Sequence, residues 1–204
     1  MPRPTPLAFL PAVVVPVLLV AGGSLWPAVI GYHASCVGVP LAFRCSTREA
    51  GLVRSGARRW LPFTLTLSVL LLAGGEVGSR WISDVEPLLP VGWERLIECA
   101  RPWWAFVTYS LVVNAFCEEY LWRGFLLPKT GIAWGAALFW LMHATAASVF
   151  VGLVAAVWVS LPALFAGVAW GWMRQRFGSL WPSLLTHLAA DVAILRTASA
   201  LLQT

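Results

Sequence analysis

The chain of 204 residues is 59% hydrophobic and only 11% charged, with a mean hydropathy of +0.78. That composition excludes an ordinary water-soluble domain and describes a polytopic membrane protein, whose apolar runs suffice to cross a hydrocarbon core about 30 Å thick. The formal net charge of +5 is concentrated in short loops, where it reports topology rather than a nucleic-acid surface.

The first apolar run, residues 7–30, contains Pro11, Pro16 and Pro27, which bend a membrane helix without abolishing it. It is too long for the apolar part of a cleavable leader and lacks a convincing cleavage site, so it is expected to stay as an anchor. The loop after it carries Arg44, Arg48, Arg54, Arg58 and Arg59 against a single Glu49. The positive-inside rule makes that loop cytoplasmic and puts the N-terminus outside.

A second span is expected over 60–78. The following loop mixes Arg80, Asp84, Glu86, Glu94, Arg95, Glu98 and Arg101, a balanced set suited to the outer face, with 85–96 lying along the interface. The third span, 103–127, ends at Pro128 and Lys129 and so arrives in the cytoplasm. A turn at Gly131 opens the fourth, which runs to about residue 150. The fifth, 152–173, ends in Arg174 and Arg176, again inside; a Phe177-Gly178-Ser179 turn leads to the sixth, 180–200. Many of the 13 Trp, among them Trp60, Trp103, Trp104, Trp134 and Trp181, sit near span ends as interfacial belts do. Cys36, Cys45, Cys99 and Cys117 form no CxxC pair and no zinc-ribbon spacing, which argues against a disulfide framework or a thiolate metal site. Without repeat or linker, residues 1–204 read as one all-α domain, a transmembrane bundle of about six spans.

Ionisable residues inside the spans are few: Glu118, Glu119, Arg123, His143, His187 and Asp191. Each carboxylate in hydrocarbon costs about 2.5–3.5 kcal/mol, so such groups face the bundle interior and have partners. Glu119 and Arg123, spaced i, i+4, can pair. Glu118 points about 100° away on the helix and has no local partner, the condition in which a buried carboxylate can be poised as a general base. Taken alone, the stretch also reads as a Glu–Arg bolt between helices with no chemistry. Cys117 beside it reads as a small apolar residue.

Counted from the cytoplasmic helix ends, Glu118, His143 and His187 all lie within roughly 12–18 Å of one face. Three helices, the third, fourth and sixth, thus bring one polar group each to a common depth. His143 alone would read as a histidine bonding a backbone carbonyl. His187 and Asp191, spaced i, i+4, allow the carboxylate to orient the ring.

The ordered set EExxxR (Glu118, Glu119, Arg123), FxxxH (Phe139, His143) and HxxxD (His187, Asp191) resembles the three signatures of the CAAX protease and bacteriocin-processing (ABI) family, intramembrane proteases of the type II prenyl-protein protease kind. The run 171–191 is also similar to that family's last motif, and the motif-bearing core spans 103–195. The resemblance implies an intramembrane endopeptidase in which Glu118 activates water shared with His143. His187 would donate to the oxyanion, with Asp191 orienting and charging it because an ionised Asp cannot donate. Glu119, Arg123 and Phe139 are expected to be structural support.

No cofactor is expected on this reading; a zinc alternative would take Glu118, His143 and His187 as ligands with a water as the fourth. Against zinc, HExxH is absent and Glu118 would be diverted from acting as base. The resemblance further implies membrane lipid and a protein or peptide with a processed tail or leader as partners, no nucleic acid, and a multi-pass place in a bacterial inner membrane. Two other classes remain: a non-catalytic bacteriocin-immunity or scaffold relative, and a transporter. Against the latter, the spans show no paired broken helices or inverted repeat.

Overall fold

The computed structural model describes residues 10–52, 59–85 and 93–200, and every regular element among them is helical. We number them α1 (Leu10–Gly22), α2 (Leu25–Ala42), α3 (Leu61–Val85), α4 (Trp93–Cys99), α5 (103–126), α6 (Leu127–Val151), α7 (Leu153–Val159), α8 (Leu161–Phe177) and α9 (Trp181–Ala200). Three stretches, Leu25–Ala42, Trp103–Val151 and Leu153–Phe177, are long and apolar enough to cross a membrane, and Val13–Gly22 and Leu61–Val77 are shorter apolar helices.

Polarity is arranged for lipid. Val17, Val20, Val69, Val112, Trp158 and Phe165 face outward, while Glu118, Glu119, Arg123 and His187 are buried. Backbone groups satisfied within helices are what a hydrocarbon solvent requires. The chain is an all-α helical membrane bundle.

The expected single first span is two helices, which corrects the reading of 7–30. Gly23 takes a left-handed φ of 59°, and the Ser24 hydroxyl caps α2 by accepting from the Trp26 amide at 3.3 Å. A Cβ on Gly31 would meet Leu18 at 2.8 Å and Val14 at 3.5 Å, so α1 and α2 run antiparallel as a hairpin. Its start therefore lies on the same side as the end of α2, next to Arg44, rather than on the opposite side as a single span would give. Residues 7–9 of that span, Arg54, Arg58 and Glu86 lie outside the described residues, as does most of the expected interfacial stretch 85–96; its end is the short helix α4.

The other expected spans appear with shifted bounds, α8 being preceded by the short α7 after a break at Ser160. Gly131 (φ 77°, ψ 174°) and Gly152 (φ 78°, ψ 162°) hold backbone conformations that side chains with a Cβ rarely adopt, and each reverses the chain. Partners equidistant from Gly131 meet: the Arg123 guanidinium lies 4.2 Å from the Phe139 ring. Likewise a Cβ on Gly167 would come within 2.9 Å of Ala136, on the far side of Gly152. Gly178 ends α8 as a left-handed cap, after which α9 returns against it. The series α5, α6, α8, α9 is thus a run of antiparallel neighbours, with α2 and α3 packed alongside.

Below this bundle, residues 45–52 tuck under the helix ends. Tyr120 donates to the Cys45 carbonyl at 3.0 Å, the Leu180 amide to Gly51 O at 3.1 Å, and the Trp181 indole to Leu52 O at 3.1 Å. Ala50 is fully buried at the point where α5 carries Gly124; a Cβ there would meet the Ala50 Cβ at 3.0 Å.

Candidate active site

Glu118 and Glu119 sit in a short α-helical segment (Ala115–Glu119) between two π-helical ones, Ser110–Asn114 and Tyr120–Leu126. Wide turns of this kind insert a residue into the helix and often mark functional sites. Their effect is to crowd polar residues toward one side of α5: both carboxylates and Arg123 are at most 3% exposed.

Around them, α9 delivers His187. Its Nδ1 lies 3.0 Å from Glu119 Oε1, and its Nε2 faces Glu118 Oε2 at 3.4 Å and Asp191 Oδ1 at 3.6 Å. Nδ1 donates to the Glu119 carboxylate, while Nε2 lies close to Glu118 and Asp191 without a hydrogen bond to either. The ring also stacks on Trp170 of α8, with centroids 4.0 Å apart and planes 15° from parallel. Its position is thereby fixed from three helices.

Arg123 reaches Glu119 at 3.0 Å, as the i, i+4 spacing anticipates, but the two are not aligned as a hydrogen bond. The guanidinium lies instead between aromatic rings, 4.2 Å from Phe139 and 4.9 Å from Trp170. Charge and π-face together make this buried cation tolerable.

His143 projects from α6. Its Nδ1 is 2.9 Å from the Phe139 carbonyl one turn earlier, which directs an N–H there and leaves Nε2 as an acceptor. The ring packs on Phe139 at 4.4 Å, and Phe139 in turn meets His187 edge-on at 6.3 Å. Phe139 is thus the spacer between the two imidazoles. Among the described residues no hydrogen bond joins His143 to Glu118 or His187.

Three site neighbours carry no motif and were missed from the sequence. Tyr32 of α2 donates to Glu118 Oε1 at 2.9 Å. His33 beside it sits between the Tyr109 hydroxyl and Asn114 Oδ1, each at 2.9 Å, and Asn114 Nδ2 donates to Asp191 Oδ2 at 3.1 Å. With the amide so placed, successive donations run from Tyr109 through His33 and Asn114 to Asp191. The available signals were slight: a Tyr-His pair within an apolar helix, and an Asn one turn before Glu118.

Among the described residues no group of three His, Cys, Asp or Glu side chains is arranged to hold a metal ion. What the site does offer is a carboxylate with one oxygen hydrogen-bonded and one turned toward an imidazole, in a water-poor interior. That constellation is suited to proton transfer and to stabilising a developing oxyanion.

Residues 100–193 match the family model described as type II CAAX prenyl endopeptidase Rce1-like. No curated protein and no solved structure matches the chain. The matched residues contain Glu118, Glu119, Arg123, Phe139, His143, His187 and Asp191; α1, α2 and α3 all precede them.

Proposed function

We propose that this protein, whose residues 100–193 match the model described as type II CAAX prenyl endopeptidase Rce1-like, is an intramembrane endopeptidase acting on the tail or leader of a membrane-associated protein. The observation that carries the reading is the approach of Glu118 Oε2 to His187 Nε2, 3.4 Å apart and both residues 3% exposed, on helices far apart in sequence.

Glu118 Oε2 takes a proton from water as the water oxygen bonds to the scissile carbonyl carbon. His143, with Nδ1 committed to Phe139 O, uses Nε2 to hold the same water. His187 Nε2 donates to the oxyanion as it forms, and Glu119 keeps the ring in place through Nδ1. Collapse of the tetrahedral intermediate breaks the C–N bond, and Glu118 returns its proton to the departing amine. Asp191 balances the charge on His187. No step in this scheme calls for a metal ion, and zinc content after mild purification tests that point directly. With the site in the cytoplasmic half, a substrate tail enters from the inner-leaflet side.

The decisive experiment expresses wild type and Glu118→Ala in the same cells and compares C-termini and N-termini of membrane and secreted proteins by mass spectrometry. A set of termini present only with wild type is expected. Identical termini in the two strains would remove the hydrolytic reading and leave a passive bundle. His143→Ala is expected to lower the yield of the same products about 10²–10⁴-fold, the usual range for loss of a positioned acid–base group.

A further inference from the structure

Tyr32 lies on α2, outside the matched residues, yet it touches the residue on which hydrolysis turns. Its hydroxyl accepts from the Trp122 indole at 3.0 Å and donates to Glu118 Oε1 at 2.9 Å. The direction of both bonds follows from chemistry. An indole N–H can only donate, so it occupies a lone pair of the hydroxyl and leaves the single O–H proton for the carboxylate. All three residues are at most 3% exposed, so no solvent competes for these bonds.

A glutamate carboxyl has nothing of its own to tell its two oxygens apart, because its last torsion is broad and nearly two-fold. Here the two oxygens differ. Oε1 is held by Tyr32, whereas Oε2 accepts no hydrogen bond from the described residues and faces His187 Nε2 at 3.4 Å. The same helix reaches Asp191 through His33 and Asn114.

We propose that Tyr32 is a positioning residue of the active site: by occupying Oε1 it fixes the plane of the Glu118 carboxylate and leaves Oε2 as the oxygen that receives the proton from water. The assignment rests on the hydrolytic reading above. It makes the N-terminal hairpin a working wall of the site rather than an anchor alone.

The test uses the purified full-length chain in detergent with two fluorogenic peptides, one ending in an S-farnesyl cysteine followed by three residues and one without the farnesyl group. Tyr32→Phe is expected to lower kcat about 10–100-fold, the loss of a hydrogen bond to a charged group, with KM changed less than about twofold. Tyr120→Phe removes a hydroxyl bound to the Cys45 carbonyl outside the site and is expected to leave kcat alone. Wild-type kcat in Tyr32→Phe while Glu118→Gln is inactive overturns the role of Tyr32 and leaves the protease reading standing. Equal losses in Tyr32→Phe and Tyr120→Phe also overturn it, since both would then report general loosening. Should Tyr32→Phe not fold, Trp122→Phe removes the donor that aims the hydroxyl while keeping an aromatic ring against Phe139; a severalfold lower kcat at unchanged KM is expected, and an unchanged kcat overturns the proposal. Inactivity of wild type on both peptides, or activity of Glu118→Gln equal to wild type, overturns the hydrolytic reading itself.

Discussion

Arg123 shows why a membrane interior tolerates a charge only in company. Its partner Glu119 lies 3.0 Å away, two rings cover the guanidinium, and Glu119 simultaneously holds His187. Removing one member of a buried pair leaves the other uncompensated, at a cost of about 3–5 kcal/mol. Arg123→Met should therefore lower the unfolding midpoint sharply, read by thermal denaturation in detergent. The double variant Arg123→Met with Glu119→Gln should recover most of that loss, because no lone charge is left behind. It should not recover activity, since a neutral Gln holds the His187 ring less strongly than a carboxylate does. Recovery of both would reduce Glu119 to a counter-ion. At this scale the sequence was legible wherever polar residues stood at helical spacing: the Glu119–Arg123 pair and the approach of His187 and Asp191 follow from i, i+4. Tyr32, His33 and Asn114 were not legible, because only packing of α2 against α5 and α9 brings them in.

Helix packing in the bundle depends on small residues where backbones cross. Gly167 and Gly171, one turn apart on α8, face Ala136 and Ile132 of α6; a Cβ on Gly167 would come within 2.9 Å of Ala136 Cα, and one on Gly171 within 3.4 Å of Ile132. Between helices in lipid, close approach of this kind supplies much of the association energy. Gly167→Leu should push α8 from α6 and destabilise by about 1–3 kcal/mol, the usual cost of overpacking. Trp170, three residues on, stacks on His187, so the same variant should also reduce cleavage. Gly38 on α2 is the matched contrast. A Cβ there meets nothing within 4 Å, so Gly38→Ala should be neutral or stabilising by up to about 1 kcal/mol through helix propensity. Element positions from α3 onward were readable from hydropathy. The break between α1 and α2 was not, because hydropathy stays high across Gly22-Gly23-Ser24 and a window average does not register a two-residue turn. The signal was local: two glycines followed by a Ser able to cap a helix.

For the whole molecule, that turn bears on which side α1 starts from. A single span over 7–30 would put the start of α1 and Arg44 on opposite faces; a hairpin puts them on one. The reversals at Gly131, Gly152 and Gly178 then carry the alternation through to α9. Arg48 and Arg176 should share the cytoplasmic face, consistent with the clustering of basic residues there. Arg101 and Leu153 should share the other. All four positions are exposed, so single cysteines introduced there in a chain without its native thiols are accessible to a reagent. In intact cells, an impermeant maleimide should label positions 101 and 153 and reach 48 and 176 only after lysis. Position 10, at the exposed start of α1, discriminates between the two topologies: with the hairpin it labels with 48, and with a single span it labels with 101. Labelling of position 10 from outside would return α1 and α2 to one continuous crossing.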